Sequence, residues 1–135
     1  LNFPPARAIC AEPAIRIERR AMSDHPITIS PAPGRVTVSW RGKVIARTDR
    51  ALELREANYP PVLYIPREDA EMAVFARTAK QTTCPYKGVA NYFSLAADGA
   101  ADKDAVWTYE TPKPGVAAIR DHLAFYPDKV AIARG

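Results

Sequence analysis

The sequence predicts a mainly β protein made of antiparallel sheets. Three observations predict it. Apolar and polar residues alternate along several short runs, most cleanly at Val36, Val38 and Trp40. The links between runs are of hairpin length and rich in turn formers, with 13 prolines and 6 glycines in 135 residues. A single stretch has helical spacing, too little for a parallel βαβ fold. About eight short strands in a sandwich or open barrel, in one domain, is the expectation.

Taken in order, the turn Pro31-Ala32-Pro33-Gly34 precedes the strand Arg35–Arg41, and Arg41-Gly42-Lys43 leads back into Val44–Thr48, which makes a β-hairpin. Ala51–Glu56 places Leu52 and Leu54 on one face, and Val62–Ile65 is a short apolar strand after the turn Asn58-Tyr59-Pro60-Pro61. Pro66 opens the expected short helix, about residues 67–77. Glu68, Asp69 and Glu71 suit its first turn, and Met72, Phe75, Ala76 and Ala79 make an i, i+3, i+4, i+7 stripe that would pack on a sheet. From Lys87 a strand runs to about Ala96, with Val89, Asn91 and Phe93 on one face and Gly88, Ala90 and Tyr92 on the other. Residues 98–104 are expected as a loop and Ala105–Glu110 as the return strand. Val116–Arg120 reads as one helical turn, and His122–Tyr126 and Lys129–Ala133 as the last strands.

Residues 1–26 read as a tail or upstream extension and residues 27–135 as the folded domain. The first 21 residues have three prolines and no sustained period, and Met22 is a plausible start. The formal charge of +4 divides evenly: four arginines against two glutamates in residues 1–21, then 15 basic against 13 acidic residues. The body is near neutral and has no basic stripe interleaved with aromatics, so nucleic acid is not an expected partner. No apolar run is long enough to span a membrane. Cys10 and Cys84 provide neither a disulfide framework nor a zinc site, and both read as reduced thiols of a cytoplasmic protein without metal or cofactor.

Four stretches in fixed order resemble a known family: Tyr64-Ile-Pro66-Arg67-Glu-Asp69, Thr83-Cys84-Pro85-Tyr86-Lys87-Gly88-Val-Ala-Asn-Tyr92, Ala105-Val-Trp107-Thr-Tyr109-Glu110-Thr-Pro112, and Ala124-Phe125-Tyr126-Pro127-Asp128-Lys129-Val130. Over residues 27–133 the chain is similar to the family described as domain of unknown function 427. The resemblance implies a bacterial or fungal protein with the β-tent (Mss4-like) architecture, in which two antiparallel sheets meet along one side and open at the other. Relatives of that architecture often hold zinc on paired Cys-x-x-Cys knuckles. This chain has none, so zinc does not carry over. The family is also labelled nucleotidyltransferase-like. That chemistry needs carboxylates on Mg²⁺ and a phosphate cradle, whereas Asp102 and Asp104 sit in a Gly/Ala turn.

Three functions follow. The first is a module binding a small anionic or aromatic ligand through Tyr86, Lys87, Tyr92, Trp107, Tyr109 and Tyr126, in a cleft between the sheets. The plainer alternatives are that the rings are core and that Lys87 pairs with Glu110. The second is an enzyme with Cys84 as nucleophile or redox thiol, its thiolate favoured by Lys87. The alternative is a small buried cysteine bracing a turn. His122 invites a dyad with Cys84, although the family pattern does not present a histidine there. His25 has no evident partner, and Arg67 with Asp69 reads as helix capping plus a local ion pair. The third function is a protein-interaction domain.

Overall fold

The computed structural model describes residues 26–135, so the tail, with Cys10, Met22 and His25, lies outside the described residues. Ten strands form two antiparallel sheets: β1 Ile27–Pro31, β2 Val36–Trp40, β3 Lys43–Thr48, β4 Leu52–Glu56, β5 Val62–Pro66, β6 Phe75–Cys84, β7 Gly88–Ala97, β8 Ala100–Tyr109, β9 His122–Phe125 and β10 Ala131–Arg134. Seven strands run in the order β1-β4-β5-β9-β8-β7-β6, and three in the order β10-β2-β3. The mainly β expectation with two antiparallel sheets is what the structure shows. Among the described residues no helix is long and apolar enough to cross a membrane.

The central strands of the large sheet are buried on both faces. Side chains alternate across a strand, so adjacent residues of its central strands enter different cores. Val106, Leu123, Phe125 and Leu95 join Val36, Val38, Trp40 and Ile45 of the small sheet in an aliphatic and phenylalanine core. Trp107, Tyr109, Tyr92, Ala124 and Tyr64 point the other way, into a second core closed by Val116 and Ile119 of the 3₁₀ segment Pro114–Ile119 and flanked by Ile27 and Ile29 of β1. Edge-to-face contacts of Phe75 with Phe93 and Phe125, both at 6.0 Å, tie β6 into the first core.

The helix expected at 67–77 does not form. Two 3₁₀ turns, Arg67–Asp69 and Met72–Val74, lead directly into β6. Tertiary pairing overrides the local pattern. Ala70 bridges Ala46, and the Glu71 N–H donates to the Ile45 carbonyl at 2.8 Å, so the segment's polar groups serve β3. Of the expected apolar stripe, Phe75 is buried while Ala76 and Ala79 face solvent. The loop expected at 98–104 is also corrected. β7 and β8 join through the two residues Asp98-Gly99, at φ 51° and 81°. Both lie in the left-handed region that a type I′ hairpin turn requires and that Asp-Gly readily adopts. The last two strands do not pair with each other: β9 belongs to the large sheet and β10 to the small one.

Candidate functional site

The turn between β6 and β7, residues 85–87, carries Lys87 into the interior. The Lys87 and Glu56 side chains are each only 1 % exposed, with Nζ 2.5 Å from Oε1. Glu56 ends β4, two residues beyond Leu54 of the second core, so it sits on that core's face of the strand. Removing either partner strands a desolvated charge, which makes the pair a structural bond between distant segments. Gly88 is required next to it. Its φ is +113°, and a Cβ there would lie 3.3 Å from the Thr111 carbonyl oxygen. That close approach lets the Lys113 N–H donate to the Lys87 carbonyl at 2.9 Å. Lys87 therefore pairs with Glu56, not with Glu110.

The aromatic residues singled out from the sequence do converge, but as core. Tyr92 and Tyr109 are 0 % exposed, Trp107 1 % and Tyr126 7 %. The polar ends of Trp107, Tyr126 and Tyr92 are satisfied by neighbouring hydroxyls, as buried tyrosine and tryptophan usually are. Trp107 Nε1 donates to Tyr64 Oη at 3.2 Å, Tyr126 Oη donates to Tyr92 Oη at 3.4 Å, and Thr82 Oγ1 lies 3.0 Å from Tyr92 Oη. The Trp107 and Tyr126 rings meet at a 44° tilt with centroids 4.7 Å apart. Tyr86, in the turn, is half-buried. These residues fill the second core; they do not line an open cleft.

Cys84 is buried at the end of β6. It pairs in register with Gly88, whereas His122 pairs with Pro66 on β9, two intervening strands away. Three inter-strand steps separate them by about 14 Å, and His122 Nδ1 sits 2.9 Å from the Arg120 carbonyl. No Cys84–His122 dyad forms. Asp102 accepts from Trp40 Nε1 at 2.7 Å, tying β8 to the small sheet, and Asp104 accepts from Thr78 Oγ1 at 2.7 Å, reaching β6 across β7, so each carboxylate has a structural partner. Among the described residues no group of three or more His, Cys, Asp or Glu side chains gathers around a common point where a metal could sit.

Two polar clusters, one around Arg67 and one around Asp69, are accessible. The first lies on the large sheet beside the first core. Cross-strand pairing aligns Gln81, Asn91 and Thr108 on one face, with Arg77, Phe93 and Val106 next along it. Arg67 Nη2 donates to Thr108 Oγ1 at 3.0 Å and to Glu110 Oε2 at 3.3 Å. Arg77 Nη2 also donates to Glu110 Oε2, and Asn91 Nδ2 donates to Oε1 at 3.2 Å. Both guanidiniums stand over the Phe93 ring, at 5.5 and 5.4 Å. Arg67 Nε is buried with no acceptor among the described residues. Arg67 does not bond Asp69 as the sequence suggested. Instead it crosses to β8, a long-range contact that no spacing rule exposes.

The second cluster joins the two sheets. Arg35, Arg47, Thr48, Asp49, Arg50 and Asp69 line a hollow of about 340 Å³. Arg35 grips Asp49 with Nε at 2.9 Å and Nη2 at 3.2 Å. Asp69 accepts from Thr48 Oγ1 at 2.7 Å and from Arg50 Nη2 at 3.1 Å. The Thr48 hydroxyl first, then Arg50, hold the Asp69 carboxyl below its ordinary value, and Arg35 does the same for Asp49.

A comparison with curated proteins finds no match for this chain. The family model described as Domain of unknown function (DUF427) matches residues 28–134, which is nearly the whole described fold, and the chain belongs to that family.

Proposed function

We propose that this chain is a small-ligand-binding module whose ligand carries a carboxylate, anchored by Arg67 and Arg77 over Phe93. The observation that carries this reading is the buried Arg67 Nε without an acceptor. A buried N–H left unmade costs about 1–3 kcal/mol, and a carboxylate seated on the Nε–Nη edge of Arg67 removes that cost. The planar guanidinium fork matches two carboxylate oxygens. The Phe93 ring under both arginines supplies an apolar floor, and the Asn91 side chain offers a neutral donor beside them. Glu110 acts as a placeholder that keeps the two guanidiniums together until a stronger acceptor arrives.

The anchor differs from the lysine and aromatic set expected from the sequence, because burial withdraws Lys87, Tyr92, Trp107 and Tyr109 from solvent. Cys84, equally buried, lends no support to a thiol enzyme. The test is titration of the ¹⁵N-labelled protein with benzoate, with acetate and inorganic phosphate alongside. Saturable shifts at the Arg67 and Arg77 side chains with benzoate, weaker shifts with acetate and loss of both in Arg67→Leu are expected. Benzoate shifts that persist in folded Arg67→Leu, or none at all in the parent protein, would overturn the reading.

A further inference from the structure

We infer that the hollow lined by Arg35, Arg47, Arg50, Thr48, Asp49 and Asp69 is a second anion site, separate from the Arg67 cluster, and that it takes a phosphate group, free or as a small phosphate monoester. It is assembled from parts far apart in sequence: Arg35 just before β2, Arg47 and Thr48 at the end of β3, Asp49 and Arg50 in the β3–β4 connection, and Asp69 closing the first 3₁₀ turn. Three arginines therefore line one space of about 340 Å³, room for a phosphate and a small organic group.

The two aspartates orient the arginines without using up their donors. An arginine has five N–H donors. Arg35 commits Nε and one Nη2 hydrogen to Asp49, which leaves Nη1. Arg50 directs only Nη2 at Glu68 and Asp69, which leaves Nε and Nη1. Arg47 has no hydrogen bond or ion pair among the described residues, so its whole fork is available. The lining carries three positive charges against two negative ones, a net +1 before any ligand enters. Asp69 Oδ2 also accepts from the Thr48 hydroxyl, so Arg50 is not its sole donor.

Phosphate fits this arrangement better than carboxylate. Three lining arginines hold more donors than two coplanar carboxylate oxygens can accept, whereas a phosphate offers three terminal oxygens in a tripod. Arg47 is the third leg and the member with no structural duty. Its removal should weaken binding without disturbing the fold.

The test uses the full chain at constant ionic strength. Inorganic phosphate is titrated while the arginine Nε–Hε signals are followed, with glycerol 3-phosphate in parallel and chloride as the control anion. Saturable shifts at Arg35, Arg47 and Arg50 are expected, together with at least about tenfold weaker binding in Arg47→Ala and in Arg47→Gln. Arg67→Leu should leave phosphate binding unchanged, which separates this site from the carboxylate site proposed above. Tighter binding of the monoester assigns the site to a phosphorylated small molecule, and equal binding assigns it to free phosphate; either supports the inference. Equal affinity in folded Arg47→Ala, or shifts that chloride reproduces at the same concentration, would overturn it.

Discussion

The two glutamates at strand ends, Glu56 and Glu110, perform opposite tasks with similar chemistry. Glu56 is sealed against one lysine, with both side chains 1 % exposed. Glu110 is about a quarter exposed and shared by two arginines and an asparagine. In the first case the charges are desolvated, and the pair fastens β4 to the β6–β7 turn. In the second, both guanidiniums keep part of their surface in water, as the proposed carboxylate site requires. The lesson is that a conspicuous motif lysine can be a rivet, while arginines on a half-open sheet face retain their capacity to bind.

The sharpest way to break this comparison is to remove one member of the sealed pair. Lys87→Met is expected to destabilise the fold by about 3–5 kcal/mol in urea unfolding, because it takes the countercharge from the buried Glu56 carboxylate. The double replacement Lys87→Met with Glu56→Leu should recover much of that loss. A cost below about 1 kcal/mol for Lys87→Met would mean that Glu56 finds water in the folded protein. Gly88→Ala comes next, at about 1–3 kcal/mol, since a side chain at φ +113° is strained and its Cβ meets the Thr111 carbonyl.

Cys84 sharpens the same contrast between sealed and open regions. In a Cys10→Ser background it should react with iodoacetamide only as fast as the protein opens, and promptly once urea is added. Rapid alkylation of the native protein would reopen the thiol reading. A smaller effect is expected at the open cluster. Arg77→Ala should change stability by less than about 1 kcal/mol, because the side chain is half exposed and its ion pair is screened.

The smallest effect is electrostatic. Asp69 is held below its ordinary value in the folded protein, chiefly by Thr48. A depressed folded value contributes stability above the unfolded carboxylate pKa, and that contribution is lost as pH falls through the folded value. Thr48→Val should therefore raise the Asp69 value, read by ¹³C NMR titration of its carboxyl. It should also flatten the acid limb of the stability curve, below about pH 4. No change in the Asp69 titration would show that Arg50 alone holds it.

Much of the fold was legible from local rules. The β2–β3 hairpin and strands β4, β5, β7 and β9 follow from two-residue alternation and turn residues, which depend only on near neighbours. The misreadings at β6 and at the β7–β8 turn have different causes. At residues 67–77 the three-and-four spacing reads as a helix, but the Ala70–Ala46 bridge to β3 and the pairing of Phe75–Arg77 with β7 override it. At residues 98–104, Asp98-Gly99 was a readable hairpin signal, obscured by the small and charged residues that continue into β8. The candidate site was less legible. Aromatic residues suited to bind a ligand are equally suited to fill a core, and only burial distinguishes the two.

The class of structure, a mainly β chain of antiparallel strands, and the motif stretches that mark its family are both readable along the chain. Alternation and turn chemistry act over a few residues, and those are fully written in the chain. Only the tertiary structure decided that Lys87 meets Glu56, that Arg67 and Arg77 share Glu110, and that Arg35, Arg47 and Arg50 surround one hollow. Those partners lie between 3 and 43 residues apart. Their meeting depends on sheet order and on which face each side chain takes, and neither is set until the strands have paired.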